Sequence, residues 1–202
     1  LLSVQPDLVL IPNWMSPDAI GEMRNMQIPV YVYKTPTTVE EAKATIHEIA
    51  GLLHASDESL IASMDADLKT VEDLASKHTG PRPVVAFYSQ FGLNGGKGST
   101  FDDMCKYMKV TNAAAELGLG AYDNGTREDL IRMNPDVIII PSASYTSDGY
   151  KPASADQLYS DPALQGVKAI ANHRVFLVDS AQIMSYSQFM TRAMVSMTQY
   201  IY

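Results

Sequence analysis

The side chains with most chemical promise sit in a glycine-rich run, four scattered histidines, a single cysteine and a set of aromatic and hydroxyl residues that follow apolar segments. Gly92-Leu93-Asn94-Gly95-Gly96-Lys97-Gly98-Ser99-Thr100 falls between an expected strand and an expected helix, where backbone amides can cradle a phosphate. Its spacing does not match. A P-loop has four residues between its first glycine and a Gly-Lys pair that Ser or Thr follows at once; here three intervene and Gly98 interrupts. The third glycine of the dinucleotide fingerprint is also missing. The glycines then serve either to meet an anion at a helix start or to let the loop come close to a ligand or another part of the chain. His47, His54, His78 and His173 contain no pair at zinc spacing and are expected at surfaces and helix ends. Cys105, inside FDDMCKYM, reads as a small buried apolar residue. No Gly-x-Ser-x-Gly elbow occurs, and no paired carboxylates for acid–base work sit at strand ends apart from Asp148 and Asp179, which are unremarkable.

What remains is a group of residues just beyond apolar runs, the place where open α/β sheets bind ligands. Asn13, Trp14 and Met15 follow the first run, and Tyr33 and Lys34 the second. Tyr88, Ser89 and Phe91 follow the third, with Lys97 in the glycine run beyond. Ser142, Ser144 and Tyr145 follow the fourth, and Ser180, Met184 and Tyr186 the fifth. Large amphipathic rings, including the only tryptophan of the chain, suit a bulky, partly apolar ligand.

The elements that must hold these residues are legible from periodicity and caps. Pro6–Pro12 reads PDLVLIP and Pro135–Pro141 reads PDVIIIP, an imperfect repeat of a continuous apolar run that predicts strands buried on both faces. IPVYVY, Val84–Tyr88 and Arg174–Val178 are further strands. Ser16-Pro17-Asp18 opens a helix to about Met26, and Thr38 with Glu41 boxes one over Val39–Leu53. Ser99 with Asp102, and Thr126 with Asp129, cap two more. The stretch from Ser56 to Thr79 predicts one long helix, capped by Ser56, with Leu60, Ile61, Met64, Leu68, Val71, Leu74 and Ala75 as its buried stripe and Asp65, Asp67, Lys69 and Asp73 in water. Gly118–Gly125 and Ser142–Ser154 are expected loops. Ser154 with Gln157 and Asp161 with Pro162 open short helices. The last helix, from about Ser187, carries Met190, Met194, Met197 and Ile201 as a core stripe. The fold class is α/β: two Rossmann-like lobes with mostly parallel sheets joined by one long spanning helix. Residues 1–55 form the first lobe, 56–79 the spanning helix and 80–202 the second lobe. Two parallel strands make a poor sheet, so the first lobe is expected to be incomplete at its N-terminus, with an upstream segment carrying the export signal and first strands.

Composition narrows the function classes. With 202 residues, 46% of them hydrophobic, the chain can bury a substantial core, and its net charge of −8 without any basic run disfavours nucleic acid and anionic membrane surfaces as partners. One cysteine excludes an internal disulfide.

The segments LLSVQPDLVLIP and IPVYVY before the long helix, GKGSTFDDM with Asn112-Ala113-Ala114, EDLIRMNPDVIII and DPALQGVKAIANHRVFLVD together resemble the solute-binding proteins that deliver ferric siderophores, haem or cobalamin to ABC importers. Lys109-Val110-Thr111 departs from the family's glycines at that turn. The resemblance implies a monomer outside the cytoplasm, periplasmic or lipid-anchored as a lipoprotein, that binds a metal chelate in an interlobe cleft without catalysis or a cofactor. It also implies docking onto a permease dimer through one acid per lobe: Glu128 in the second, Asp18 or Glu22 in the first. The ligand-binding set becomes Asn13, Trp14, Met15, Tyr33, Lys34, Tyr88, Phe91, Lys97, Ser142, Tyr145, Met184 and Tyr186. Lys34, Lys97 and Lys151 without an arginine cluster favour a hydroxamate-type ferric chelate or a corrinoid over an anionic tris-catecholate. Haem would use Tyr88, Tyr145 or Tyr186 as an axial ligand. The rival is an enzyme holding a phosphate-bearing substrate on the Gly92–Gly98 loop, and a zinc or manganese carrier is disfavoured by the missing histidine ligands.

Overall fold

The computed structural model describes residues 3–147 and 149–202, the side chains at 145 and 146 excepted. The chain divides into two compact units, one ending at Pro36 and the other running Thr37–Tyr202. Both helices that follow Pro36 therefore belong with the larger unit, whereas the sequence alone places the division at residues 55 and 56.

In the smaller unit β1 (Val9–Pro12) and β2 (Val30–Tyr33) pair in parallel, with Val9 opposite Val30, and α1 (Pro17–Asn25) is the crossover between them. Pro17 stands at the first helical position and Asp18 in the first turn, where a missing N–H costs nothing and a carboxylate meets the positive end of the helix dipole. β1 is less buried than its apolar run predicts. Leu10 is 37% exposed, because side chains alternate between the two faces of a strand and one crossover helix covers only one of them.

The larger unit opens with α2 (Val39–Leu52) and α3 (Glu58–Ala75). It continues through β3 (Val84–Ser89), β4 (Gly92–Asn94), α4 (Thr100–Tyr107), β5 (Thr111–Asn112), α5 (Ala113–Glu116) and α6 (Arg127–Met133). β6 (Val137–Pro141), β7 (Ala143–Thr146), β8 (Gly149–Pro152) and α7 (Asp156–Ser160) follow. A 3-10 turn (Pro162–Leu164), α8 (Lys168–Ala171), β9 (Val175–Val178), α9 (Ser180–Ile183) and α10 (Phe189–Ile201) complete the chain. β6 lies between β3 and β9, parallel to both, and β5 and antiparallel β4 share the other edge of β3.

Every residue of β6 is buried, as PDVIIIP requires, and the strand's alternation divides the core into two layers. Val137 and Ile139 face a layer built with Met190, Met194 and Met197 of α10 and Met64 of α3. Ile138 and Ile140 face the opposite layer with Leu130 of α6 and Ile170 of α8. Each of these large side chains contributes about 1.5–3 kcal/mol by leaving water, so the methionine stripe is structural core.

Four local expectations change. α3 is shorter than Ser56–Thr79 because Asp57, not Ser56, precedes its first turn, and beyond Ala75 the chain turns away, with the His78 ring bonded to the Pro81 carbonyl at 2.9 Å. Leu60, expected in the buried stripe, is exposed. Asp67, expected in water, accepts a hydrogen bond from the Thr191 hydroxyl at 3.0 Å because α10 runs along α3. Ser142–Ser154, expected as a loop, contains the β7–β8 hairpin, closed where Gly149 takes φ +102°.

Candidate functional site

Within the larger unit a cavity of about 300 Å³ opens where β3 and β6 end. Tyr88, Ser89 and Gln90 enter its wall from the end of β3, and Ile140 and Pro141 from the end of β6. Ser144, Pro152, Ala153 and Ser154 come from the hairpin and its exit, and Gln157 and Leu158 from α7. Local chemistry places each group. The hairpin is rooted by Ser180, whose hydroxyl accepts from the Ala143 amide at 2.9 Å and donates to the Ala143 carbonyl at 3.1 Å. Its exit is held by the Ala153 amide on the Ser142 carbonyl at 2.9 Å. Ser154 then accepts from the Asp156 amide at 3.1 Å, starting the helix that carries Gln157 and Leu158 inward.

Among the described residues the lining mixes polar and apolar groups and carries no formal charge. Hydroxyls of Tyr88, Ser89, Ser144 and Ser154 and the amides of Gln90 and Gln157 face apolar Ile140, Pro141, Pro152 and Leu158. The Ser89 oxygen accepts from Asn94 Nδ2 at 2.9 Å and from the Phe91 amide at 3.2 Å, which occupies both lone pairs and leaves its hydrogen to donate. Burial pushes the Tyr88 phenol above its ordinary 10.0; the Arg127 charge draws it down, and Asp161 and Glu128 push it up. The phenol is therefore neutral at physiological pH, a donor as well as an acceptor.

Of the residues picked from sequence, Tyr88, Ser89 and Ser144 line this cavity. Ser142 directs its oxygen within the protein, accepting from the Ser180 amide at 3.1 Å. Phe91, Met184 and Tyr186 are exposed around the strand ends but outside the lining. The Tyr145 side chain lies outside the described residues, as does Asp148, although the Tyr145 backbone pairs with Tyr150 in the hairpin. Lys97 is exposed and outside the lining, and its amide donates to the Leu119 carbonyl at 2.7 Å. In the smaller unit Asn13 Oδ1 accepts from the Thr35 amide at 3.0 Å, fixing the turn beyond β1. Trp14, next in that turn, is 71% exposed; Tyr33 closes β2, and Lys34 is exposed beyond it. Sequence reading missed Gln90, Gln157 and Leu158. The cap signal at Ser154 was visible, but nothing in one dimension aims that helix at the ends of β3 and β6.

The glycine-rich run has a different use from phosphate binding. Gly92–Asn94 is strand β4, and a Cβ on Gly92 would run into the Gly125 carbonyl. A Cβ on Gly96 would meet the Leu119 and Gly120 carbonyls. The glycines thus let this run press against the backbone of Leu119–Gly125, joined by the Leu93 and Gly125 amides and carbonyls at 3.1 and 2.6 Å. The Gly98 amide, just before the cap of α4, already donates to the Asp102 carboxylate at 3.1 Å.

A periplasmic binding protein family model matches residues 1–182. A curated cobalamin-binding protein of Halobacterium salinarum is 23% identical over 143 residues, covering 69% of this chain and 38% of its own length. The chain thus spans well under half of that relative. Among solved structures, the periplasmic heme-binding protein RhuT from Roseiflexus sp. RS-1 in apo form superposes with a TM-score of 0.84 at 24% identity, over 100% of this chain and 77% of that one. The periplasmic heme-binding protein HutB of Vibrio cholerae superposes with a TM-score of 0.78 at 20% identity, over 100% and 79%.

Proposed function

This chain belongs to the periplasmic binding protein family, and on that premise we propose that it is the ligand-capturing component of an ABC importer, a carrier and not an enzyme, working outside the cytoplasm. Its cargo is a metal chelate, a corrinoid or a ferric hydroxamate in preference to an anionic ferric complex. The observation that carries this reading is the hydrogen-bonding lining of the cavity at the ends of β3 and β6, uncharged among the described residues. Hydroxyls and side-chain amides match amide and hydroxamate oxygens, whereas carboxylates or catecholates call for arginine. At about 300 Å³ the cavity is at the small end of ligand sites, which run ~300–1,000 Å³, and suits one edge of a larger chelate. The cobalamin-binding relative supports the corrinoid.

Haem is the second reading, favoured by the two heme-binding neighbours and by the Tyr88 phenol in the cavity wall. Its carboxylates find no cation among the described lining residues. The ligand contacts we assign within the larger unit are those of the cavity wall, Tyr88, Ser89, Ser144 and Gln157. The permease meets Glu128, whose side chain is 74% exposed, and exposed Asp18 or Glu22 on α1.

Calorimetric titration with cyanocobalamin, ferrioxamine and haemin, with Trp14 fluorescence followed in parallel, tests the reading. Binding of cyanocobalamin or ferrioxamine that weakens in Gln157→Ala and Ser144→Ala is the expected result. No heat with any of the three probes would sink it.

A further inference from the structure

Outside the lining, at the end of α7, an arginine has its charge already taken. Arg127 opens α6, and its Nη1 donates to Asp161 Oδ2 at 2.9 Å, while Nη2 stands 3.9 Å from Glu128 Oε1. Asp161 directly follows α7, the helix that places Gln157 and Leu158 in the cavity wall. It is a fixed partner: its Oδ1 accepts from the Ala163 amide at 2.9 Å, and its carbonyl accepts from Gln165 Nε2 at 3.0 Å. The ion pair therefore ties the start of α6 to the end of α7, next to residues that line the cavity.

We propose that Asp161 determines ligand specificity by holding Arg127 neutralised beside the cavity, so that uncharged chelates are accepted and anionic ones refused. The proposal rests on the cavity being the ligand site. A free guanidinium presents a planar fork of donors that matches carboxylate and catecholate oxygens, and one beside this cavity would recruit them. With Asp161 and Glu128 both close, the group carries one positive charge against two negative ones, and an anion approaching it meets net repulsion. The same arrangement is felt at Tyr88, whose phenol responds to Arg127, Asp161 and Glu128 together. Asp161 acts through Arg127 and is a positioning residue rather than a ligand contact.

Asp161→Asn is the informative variant, because its amide oxygen can still accept from Ala163 and keep the turn while the charge is lost. Affinity for a ferric tris-catecholate should rise about tenfold, the worth of one charge-assisted contact, and that for cyanocobalamin should change less than about twofold. The gain should vanish in the Arg127→Gln/Asp161→Asn double variant. Cyanocobalamin binding with no gain for the tris-catecholate, or a gain that survives in the double variant, overturns the specificity role alone. Failure of both probes with every protein overturns the parent reading along with it. A readout without ligand uses ultraviolet titration of Tyr88, isolated by difference from Tyr88→Phe. Its phenol should ionise at lower pH in Asp161→Asn and at higher pH in Arg127→Gln. An unmoved Tyr88 would show that Arg127 does not reach the cavity, and the proposal falls.

Discussion

Asp103 Oδ2 accepts a hydrogen bond from the Val39 amide at 2.9 Å, so that a buried carboxylate on α4 caps the start of α2 across 64 residues of sequence. Its other oxygen meets the Lys106 ammonium at 3.4 Å. Replacing it with alanine leaves a buried amide at the helix start without a partner. Asp103→Ala should cost about 1–3 kcal/mol in urea unfolding, and Asp103→Asn, which keeps an acceptor, distinctly less. Equal losses for the two would show that the charge, not the hydrogen bond, matters there.

Gly96 lies against the Leu119 and Gly120 carbonyls, and a methyl group there can be housed only if the two loops separate. Gly96→Ala should lower stability by about 1–3 kcal/mol while calorimetric affinity for the chelate stays put. Unchanged stability would mean that the loops part freely.

Asp129 is held below its ordinary 3.8, first by the Thr126 amide, then by the Thr126 hydroxyl, then by Arg132. Asp161 is lowered by the Ala163 amide and by Arg127. The folded state thus binds fewer protons than the unfolded state, and the stabilisation is fully present above the unfolded carboxylate range and lost as pH falls through the lowered folded values. In Asp129→Asn the acid limb of the stability curve, followed by circular dichroism, should be shallower than in the parent protein; a superimposable limb would refute the linkage.

Glu128 is exposed and outside the cavity lining, which leaves it open to the docking proposed above. Glu128→Arg should weaken binding to the cognate permease in nanodiscs by at least about tenfold with chelate affinity unaltered. Undiminished docking would remove this residue from the interface.

The Cys105 thiol is fully enclosed, and burial, followed by Asp102, drives it well above its ordinary 9.0. An aromatic disulfide reagent should label it only at the rate of unfolding. Labelling that outpaces unfolding would indicate an opening at α4.

Wherever a determinant is local, the residues alone sufficed. Thr126 with Asp129 forms the expected reciprocal cap, and the Thr38 and Ser99 oxygens accept from the Glu41 and Asp102 amides. PDVIIIP becomes a strand buried on both faces, and Met190, Met194, Met197 and Ile201 fall on one buried helix face. Caps and side-chain periods act within four residues, so they are written in order along the chain. The cavity is not. Its wall joins Tyr88 to Gln157 through a parallel crossover and a polar hairpin, and Asp103, Asp67 and Asp161 find their partners only when distant helices pack. Which polar side chains face a ligand and which are consumed inside the protein is settled by burial and hydrogen-bond satisfaction between remote segments, and that is decided in three dimensions.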